Sequence, residues 1–280
     1  MSMLKSNYHS HCNFCDGRDS MEAFVKYAII LGLKKYGFSS HAPLSFHTSW
    51  NMIDRDFEAY KSEFTRLKMK YKNEIDLYLG LEIDYIDALS GPNDEYYQQM
   101  KLDYAIGSVH YLNKMQNGNY WSIDGSFEEF KAGLNELFDG NIQLATKRFF
   151  EVTNKMIGAG GFDIVGHLDK ITLHGTSFSD FDIRADWYKT LFFETLDVIK
   201  QKRIIVEVNV KSFYEKNLVF PDSIYFEQLK AFDIPLVVNS DCHHPTKIAG
   251  GIAETIEKLK LVGYTELHNL SSKGWYSSPI

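Results

Sequence analysis

Short apolar runs alternate along the chain with longer stretches in which apolar side chains recur at helical spacing. The short runs predict strands at Leu4–Tyr8, Lys35–Phe38, Leu77–Glu82, Tyr104–Val109, Asp163–Val165, Ile204–Val208 and Leu236–Asn239. The longer stretches predict helices at Ser20–Leu31, Phe57–Tyr71, Phe127–Phe138, Ile142–Ala159, Ala185–Lys202, Ser223–Phe232 and Ile248–Val262. Ser20 is placed to cap the first helix and Gly32 to stop it, while Asn141 caps the long helix that Gly158 and Gly160 close. Repeated strand–helix units with apolar strands imply an α/β fold, a parallel sheet covered by helices. Seven such units predict a barrel of the TIM type with one unit short, and in such barrels function gathers at the C-terminal ends of the strands.

Candidate ligands fall at those ends. In Tyr8-His9-Ser10-His11, a strand running from Lys5 to Ser10 would send His9 and His11 to the same side by its period of two, so both rings could meet one ion; Asp16 follows within five residues. His41 follows the second strand, Glu82 ends the third, His110 ends the fourth and His167 follows the fifth. Asp241 and His243 follow the seventh. A histidine at a strand end is individually explained as a satisfied polar group. Six of the ten histidines at one predicted rim, with three carboxylates, point instead to a metal site.

The chain has 280 residues, 44% hydrophobic and 24% charged, without a Pro/Gly/Ser-rich linker or an internal repeat, which predicts one domain over 1–280. No long uncharged apolar run is present, so neither a signal peptide nor a membrane span is expected and a cytoplasmic location is. Three cysteines, Cys12, Cys15 and Cys242, fit a reducing compartment, as buried thiols beside a histidine site rather than a disulfide framework. A net charge of −7 argues against an extended nucleic-acid surface, which needs clustered Lys and Arg. Nor are the aromatic residues interleaved with basic ones, as a base-stacking groove would require.

In ordered combination the motifs Tyr8-His-Ser-His…Phe14-Cys15-Asp16-Gly17, Ser40-His-Ala-Pro43, Gly80-Leu-Glu82, Ser108-Val-His110, Gly166-His-Leu-Asp169 and Ser240-Asp241-x-His243 resemble the polymerase and histidinol phosphatase (PHP) superfamily, specifically its histidinol-phosphate phosphatase branch. The resemblance spans nearly the whole chain. It implies a distorted (β/α)7 TIM-like barrel, parallel strands ringed by helices, holding three divalent ions of zinc, iron or manganese. It further implies a first ion on His9, His11, Glu82 and Asp241, a second on His110 and His167 bridged by Glu82, and a third on Asp16, His41 and His243. Where many relatives carry an Asp before the second-motif histidine, this chain has Ser40.

Mixed imidazole and carboxylate ligands suit zinc, iron or manganese better than magnesium. Ions so held lower the pKa of a bridging water from about 15.7 toward roughly 7, giving a hydroxide that attacks phosphorus in line. The catalytic set is then Glu82, Asp241, His243 and His244, with His244 a candidate donor of the leaving-group proton. Outside the metal cluster, Arg148 is the first candidate for a phosphate-binding cation and Lys170 the second. The aromatic loop His41 to Trp50, and Asp84 or Asp87 toward an ammonium group, are candidates for substrate recognition. The expected activity is hydrolysis of a small phosphomonoester, L-histidinol phosphate, to L-histidinol and phosphate, with no nucleic-acid or membrane partner. The alternatives are a phosphodiesterase or exonuclease of the same superfamily and a metal-binding regulatory protein without turnover.

Overall fold

The computed structural model describes residues 5–280. Eleven strands are present among them: β1 (Ser6–Asn7), β2 (Lys35–Phe38), β3 (Asp76–Asp84), β4 (Tyr104–Ser108), β5 (Tyr111–Lys114), β6 (Tyr120–Ser122), β7 (Ile164–Val165), β8 (Ile205–Asn209), β9 (Leu236–Asn239), β10 (Glu266–Ser271) and β11 (Gly274–Pro279). Leu4, where the first strand is predicted to begin, lies outside the described residues. Seven strands form one parallel sheet in the order β1-β2-β3-β4-β7-β8-β9. Beyond the ends of β1 and β9 the sheet bends round to meet itself through a parallel bridge between Ser10 and Cys242, with His11 N–H donating to the Cys242 carbonyl at 2.9 Å. The result is a nearly closed, distorted TIM-like barrel ringed by helices. All seven predicted barrel strands are present, in the predicted order.

Alternation along each strand sorts the side chains. On β3, Leu77, Leu79, Leu81 and Ile83 pack outward against helices Met21–Ile30 and Phe57–Lys70, while Tyr78 packs among the residues of the barrel axis, the side shared by Gly80, Glu82 and Asp84. On β8, Val206 and Val208 face the outer core and Ile205 the axis, so Glu207 and Asn209 follow Ile205 inward. Gly80 and Gly37 make room on that axis for the side chain of Tyr104, since a Cβ at Gly80 would come 2.5 Å from its ring and one at Gly37 2.3 Å from its hydroxyl.

Helix ends follow local chemistry. Ser20 Oγ accepts from Ala23 N–H at 3.3 Å, Asn141 Oδ1 accepts from Gln143 and Leu144 N–H, and Ser126 with Glu129 forms a capping box on helix Phe127–Phe138. Two predicted helices differ. The stretch Ser223–Phe232 divides into a 3-10 turn (Ser223–Tyr225) and helix Phe226–Ala231, and the last helix begins only at Ile252, because Gly251 takes φ 78°.

The two hairpins, β5–β6 and β10–β11, are additions to the predicted pattern. The second covers the N-terminal end of the barrel, where Leu270 and Trp275 pack on Tyr8, Tyr78, Tyr104, Ile106, Ile164, Ile205 and Val237. Among the described residues no helix is long and apolar enough to cross a membrane.

Candidate metal centre

At the opposite end, the axis-facing positions turn polar. Glu82, 1% exposed, stands at the centre. Its Oε2 lies 3.2 Å from His9 Nε2, 3.5 Å from His11 Nε2 and 3.1 Å from His41 Nδ1, and its Oε1 lies 2.9 Å from His167 Nε2 and 3.6 Å from His110 Nε2. Asp241 Oδ1 is 3.1 Å from His11 Nε2 and 3.6 Å from His9 Nε2. Asp16 is 3.2 Å from His243 Nε2, 3.9 Å from His41 Nε2 and 4.0 Å from His11 Nδ1. The nine side chains expected as ligands thus converge. Compact donor groups form from His9, His11 and Asp241, from Glu82, His110 and His167, and from His11, Asp16, His41 and His243, and each could hold a metal ion.

His167 Nε2 hydrogen-bonds Glu82 Oε1 at 2.9 Å, and most of the remaining donor spacings fit atoms that could share an ion. Two donors about 2.0–2.1 Å from a tetrahedral ion lie roughly 3.3 Å apart. His9 Nε2, His11 Nε2, His41 Nδ1 and Asp241 Oδ1 are buried without a hydrogen-bond partner, and His110 Nε2 and His167 Nε2 face each other at 3.0 Å. Unpaired buried polar atoms are costly. Here they point at common centres, and the mixed imidazole and carboxylate donors fit divalent cations.

Surrounding residues fix these donors. Glu207, fully buried, accepts from His9 Nδ1 at 2.7 Å, His167 N–H at 3.0 Å, Asn209 Nδ2 at 2.9 Å and Asn239 Nδ2 at 3.0 Å. Its lone pairs are thereby taken, leaving His9 to present Nε2. Asp84 holds His110 Nδ1 at 2.7 Å, Ser108 Oγ donates to Glu82 at 2.6 Å, and Asn209 Nδ2 donates to Asp241 Oδ2 at 3.1 Å. His167 (φ 25°) and Asp241 (φ 47°) both take left-handed backbone conformations, strain that the hydrogen bonds around them sustain. Ser40 is buried with its hydroxyl 3.5 Å from Cys12 Sγ, and His41 is flanked instead by Glu82 and Asp16.

The electrostatics follow from burial and charge. Burial opposes ionisation of Glu82 and Asp241, but the imidazoles around Glu82, and Lys211 with His9 beside Asp241, hold both well below the carboxylate range. Burial also opposes charge on His110, yet Asp84 and Glu82 push it up to about 9, and Glu207 with Asp241 raises His9 likewise. His11 and His167 are lowered, chiefly by burial.

A cavity of about 830 Å³ opens on this cluster, lined by His41, His110, Asp241 and His243 together with Trp50, Asp124, Lys170, Lys211 and His244. Lys170 is buried, its Nζ 3.3 Å from Asp124 Oδ1. His244 is exposed on the rim, its Nδ1 2.8 Å from Thr246 Oγ1. Arg148 is a correction to the sequence reading. It reaches Asp87 at 2.8 Å and Asn113 at 2.9 Å and is absent from the cavity wall, because Asp87, on the loop after β3, neutralises it together with Lys155. Neither Asp84, which is bonded to His110, nor Asp87, which is paired with Arg148 and Lys155, lines that cavity, so neither faces an ammonium group there. Trp50 of the aromatic loop lines the cavity, stacked on Tyr111 with ring centroids 5.5 Å apart.

Glu207, Lys211 and Asp124 escape the sequence reading. For Glu207 a signal exists: a carboxylate set inside the apolar run Ile204-Ile205-Val206-Glu207-Val208 has to be paired in a buried strand. The cysteines are free thiols, with Cys15 Sγ 3.6 Å from His11 Nδ1.

The model of the PHP domain family matches residues 7–211. Histidinol-phosphatase of Bacillus subtilis is 25% identical over 261 residues, covering 86% of this chain and 94% of that protein. Histidinol-phosphatase of Lactococcus lactis subsp. lactis is 23% identical over 271 residues, covering 96% and 95%. The fold is shared with the crystal structure of histidinol phosphate phosphatase from Lactococcus lactis subsp. lactis, complexed with zinc, L-histidinol and phosphate, at a TM-score of 0.75 and 20% identity over 97% of this chain and 98% of that one.

Proposed function

The chain belongs to the PHP domain family, and from that premise we propose that it is a metal-dependent phosphomonoesterase that hydrolyses L-histidinol phosphate to L-histidinol and phosphate. The observation that carries the reading is the convergence of His9, His11, Asp16, His41, Glu82, His110, His167, Asp241 and His243 into one cluster, of which Asp16, His41, His110, Asp241 and His243 line a single cavity. The donor groups support three ions, zinc, iron or manganese, with Glu82 reaching two of the groups through its two oxygens. When bound, such ions supply charge neutralisation for phosphate oxygens and an acidified water.

The chain's own residues do the rest. Glu207 and Asp84 hold the rings of His9 and His110 so that Nε2 of each faces the cluster. Ser108 and Asn209 hold the carboxylates of Glu82 and Asp241 against rotation. Lys170 and Lys211 bring fixed positive charge to the wall that receives a phosphate dianion. His244, on the same wall but outside the donor groups, is assigned the proton for the leaving alkoxide. The remainder of the cavity, with Trp50 on one side, has room for an imidazole-bearing group.

The test is phosphate release from protein supplied with zinc or manganese. L-histidinol phosphate, other phosphomonoesters, a nucleotide phosphodiester and single-stranded DNA are compared. Selective release from L-histidinol phosphate is the expected result. Cleavage of the diester or DNA instead, or inertness with ions tightly bound, overturns the reading.

A further inference from the structure

L-histidinol phosphate carries an ammonium group on the carbon next to the one bearing the phosphate ester. Seating the phosphate on a cationic cluster therefore brings a second cation close to it, and repulsion opposes binding unless an anion faces that ammonium. Four carboxylates line the cavity: Asp16, Asp124, Glu215 and Asp241. Asp16 and Asp241 belong to the donor groups, and Glu215 stands exposed on the rim. Asp124 remains.

Its setting is built rather than incidental. Asp124 follows β6, and the N–H of its neighbour Ile123 donates to the His110 carbonyl at 2.9 Å, which places it beside the group formed by Glu82, His110 and His167. Lys170, whose Nζ is 3.3 Å from Asp124 Oδ1, has its own N–H bonded to the His167 carbonyl at 2.9 Å. The pair is thus tied by the backbone to both histidines of that group. Lys170 is 1% exposed and lies over the ring of Phe220, whereas the Asp124 side chain keeps 24% of its surface exposed. Among the described residues Lys170 is the one cationic side chain within 4.0 Å of Asp124, while Lys211, further off on the same wall, also bears on it, and Oδ2 carries no ion pair of its own. A buried ammonium is costly without a partner. Lys170 in turn pins the carboxylate to the cavity wall.

We propose that Asp124, positioned by Lys170, is the carboxylate that receives the substrate's ammonium group and so selects amino-alcohol phosphates over other phosphomonoesters. The inference rests on the phosphatase reading above and names the part of the cavity that sets its specificity.

The experiment compares L-histidinol phosphate with the same ester lacking its amino group, as kcat/KM, and L-histidinol with its deamino analogue by calorimetry. Asp124→Asn should lower the amino-to-deamino preference by about tenfold to a hundredfold, mainly through KM, as expected for a lost charge-assisted contact. Asp124→Glu should retain part of the preference and Glu215→Gln all of it. Because Asp124→Asn leaves Lys170 buried and unmatched, Asp124→Asn with Lys170→Met serves as a second, charge-balanced variant and should lose the same preference. An unchanged preference in that folded double variant overturns the role of Asp124. A wild-type protein that favours the amino compound in binding yet hydrolyses neither ester sinks the phosphatase reading while leaving Asp124 in place. Turnover of both esters with equal efficiency does the reverse.

Discussion

The two ends of the barrel solve the burial of polar groups in opposite ways. At the N-terminal end the buried polar atoms are mainly tyrosine hydroxyls, and the chain satisfies them itself. Tyr8 OH accepts from Leu270 N–H at 2.9 Å, Tyr78 OH donates to the Leu270 carbonyl at 2.9 Å, and Tyr104 OH donates to the carbonyls of Tyr8 and Phe38. At the C-terminal end, His9, His11, His41 and Asp241 each keep a buried atom that no other protein group satisfies. One end is a finished core, closed by a hairpin. The other gathers donor groups that could hold divalent cations, and any such binding would add to its share of the folding free energy.

The most severe way to break that contrast is at Glu82, whose two oxygens serve two donor groups. Glu82→Gln removes the shared charge. It should lower phosphate release by at least about a thousandfold and reduce bound metal, since metal-site electrostatics supply several kcal/mol of transition-state stabilisation. Activity assay and elemental analysis together check this. Full turnover in the variant would mean that the C-terminal end is an ordinary polar core.

The contrast also explains what is legible in the sequence. A metal site would demand imidazoles and carboxylates at strand ends, so His9, His110 and Asp241 stand out as candidate ligands before any fold is known. The strands Lys35–Phe38 and Leu236–Asn239 stand out for a similar reason, as short apolar runs between turns. Arg148 is not legible, because a guanidinium's role depends on which carboxylate folding brings to it, and Asp87 is 61 residues away in sequence. The hairpin β10–β11 hides for another reason. Its burial comes from capping Tyr8, Tyr78 and Tyr104 rather than from its own alternation, and Asn269 sits where an apolar side chain would mark a strand.

A substitution at the closed end gives the matching control. Leu270 is buried among the tyrosines, and Leu270→Ala should destabilise the protein by about 2–5 kcal/mol through lost burial and the cavity left behind. Denaturant unfolding with and without added metal should show the same loss in both, with metal content unchanged. A loss confined to the metal-supplied protein would show that the two ends are coupled.

The smallest effect sharpens the comparison through pH. Burial disfavours a proton on His110, but Asp84 and Glu82 override it and push the pKa up to about 9, against an unfolded value near 6.5. A pKa raised by folding contributes stability that is fully present below the unfolded value and is lost as pH rises through the folded one. For metal-free protein, that contribution, on the order of 3 kcal/mol at its largest, should therefore disappear between about pH 6.5 and 9. With metal supplied the sign is opposite, because the His110 proton competes with the ion and binding tightens as it leaves. Melting temperatures taken across this window should accordingly diverge, the metal-free curve falling while the metal-supplied curve holds or rises. At the N-terminal end His268, on the capping hairpin, has its pKa lowered chiefly by burial, so its effect on stability lies below about pH 6.5 and is the same with and without metal. Parallel curves would mean that His110 does not exchange a proton for a metal ion, and that the cluster is held together by its own ion pairs.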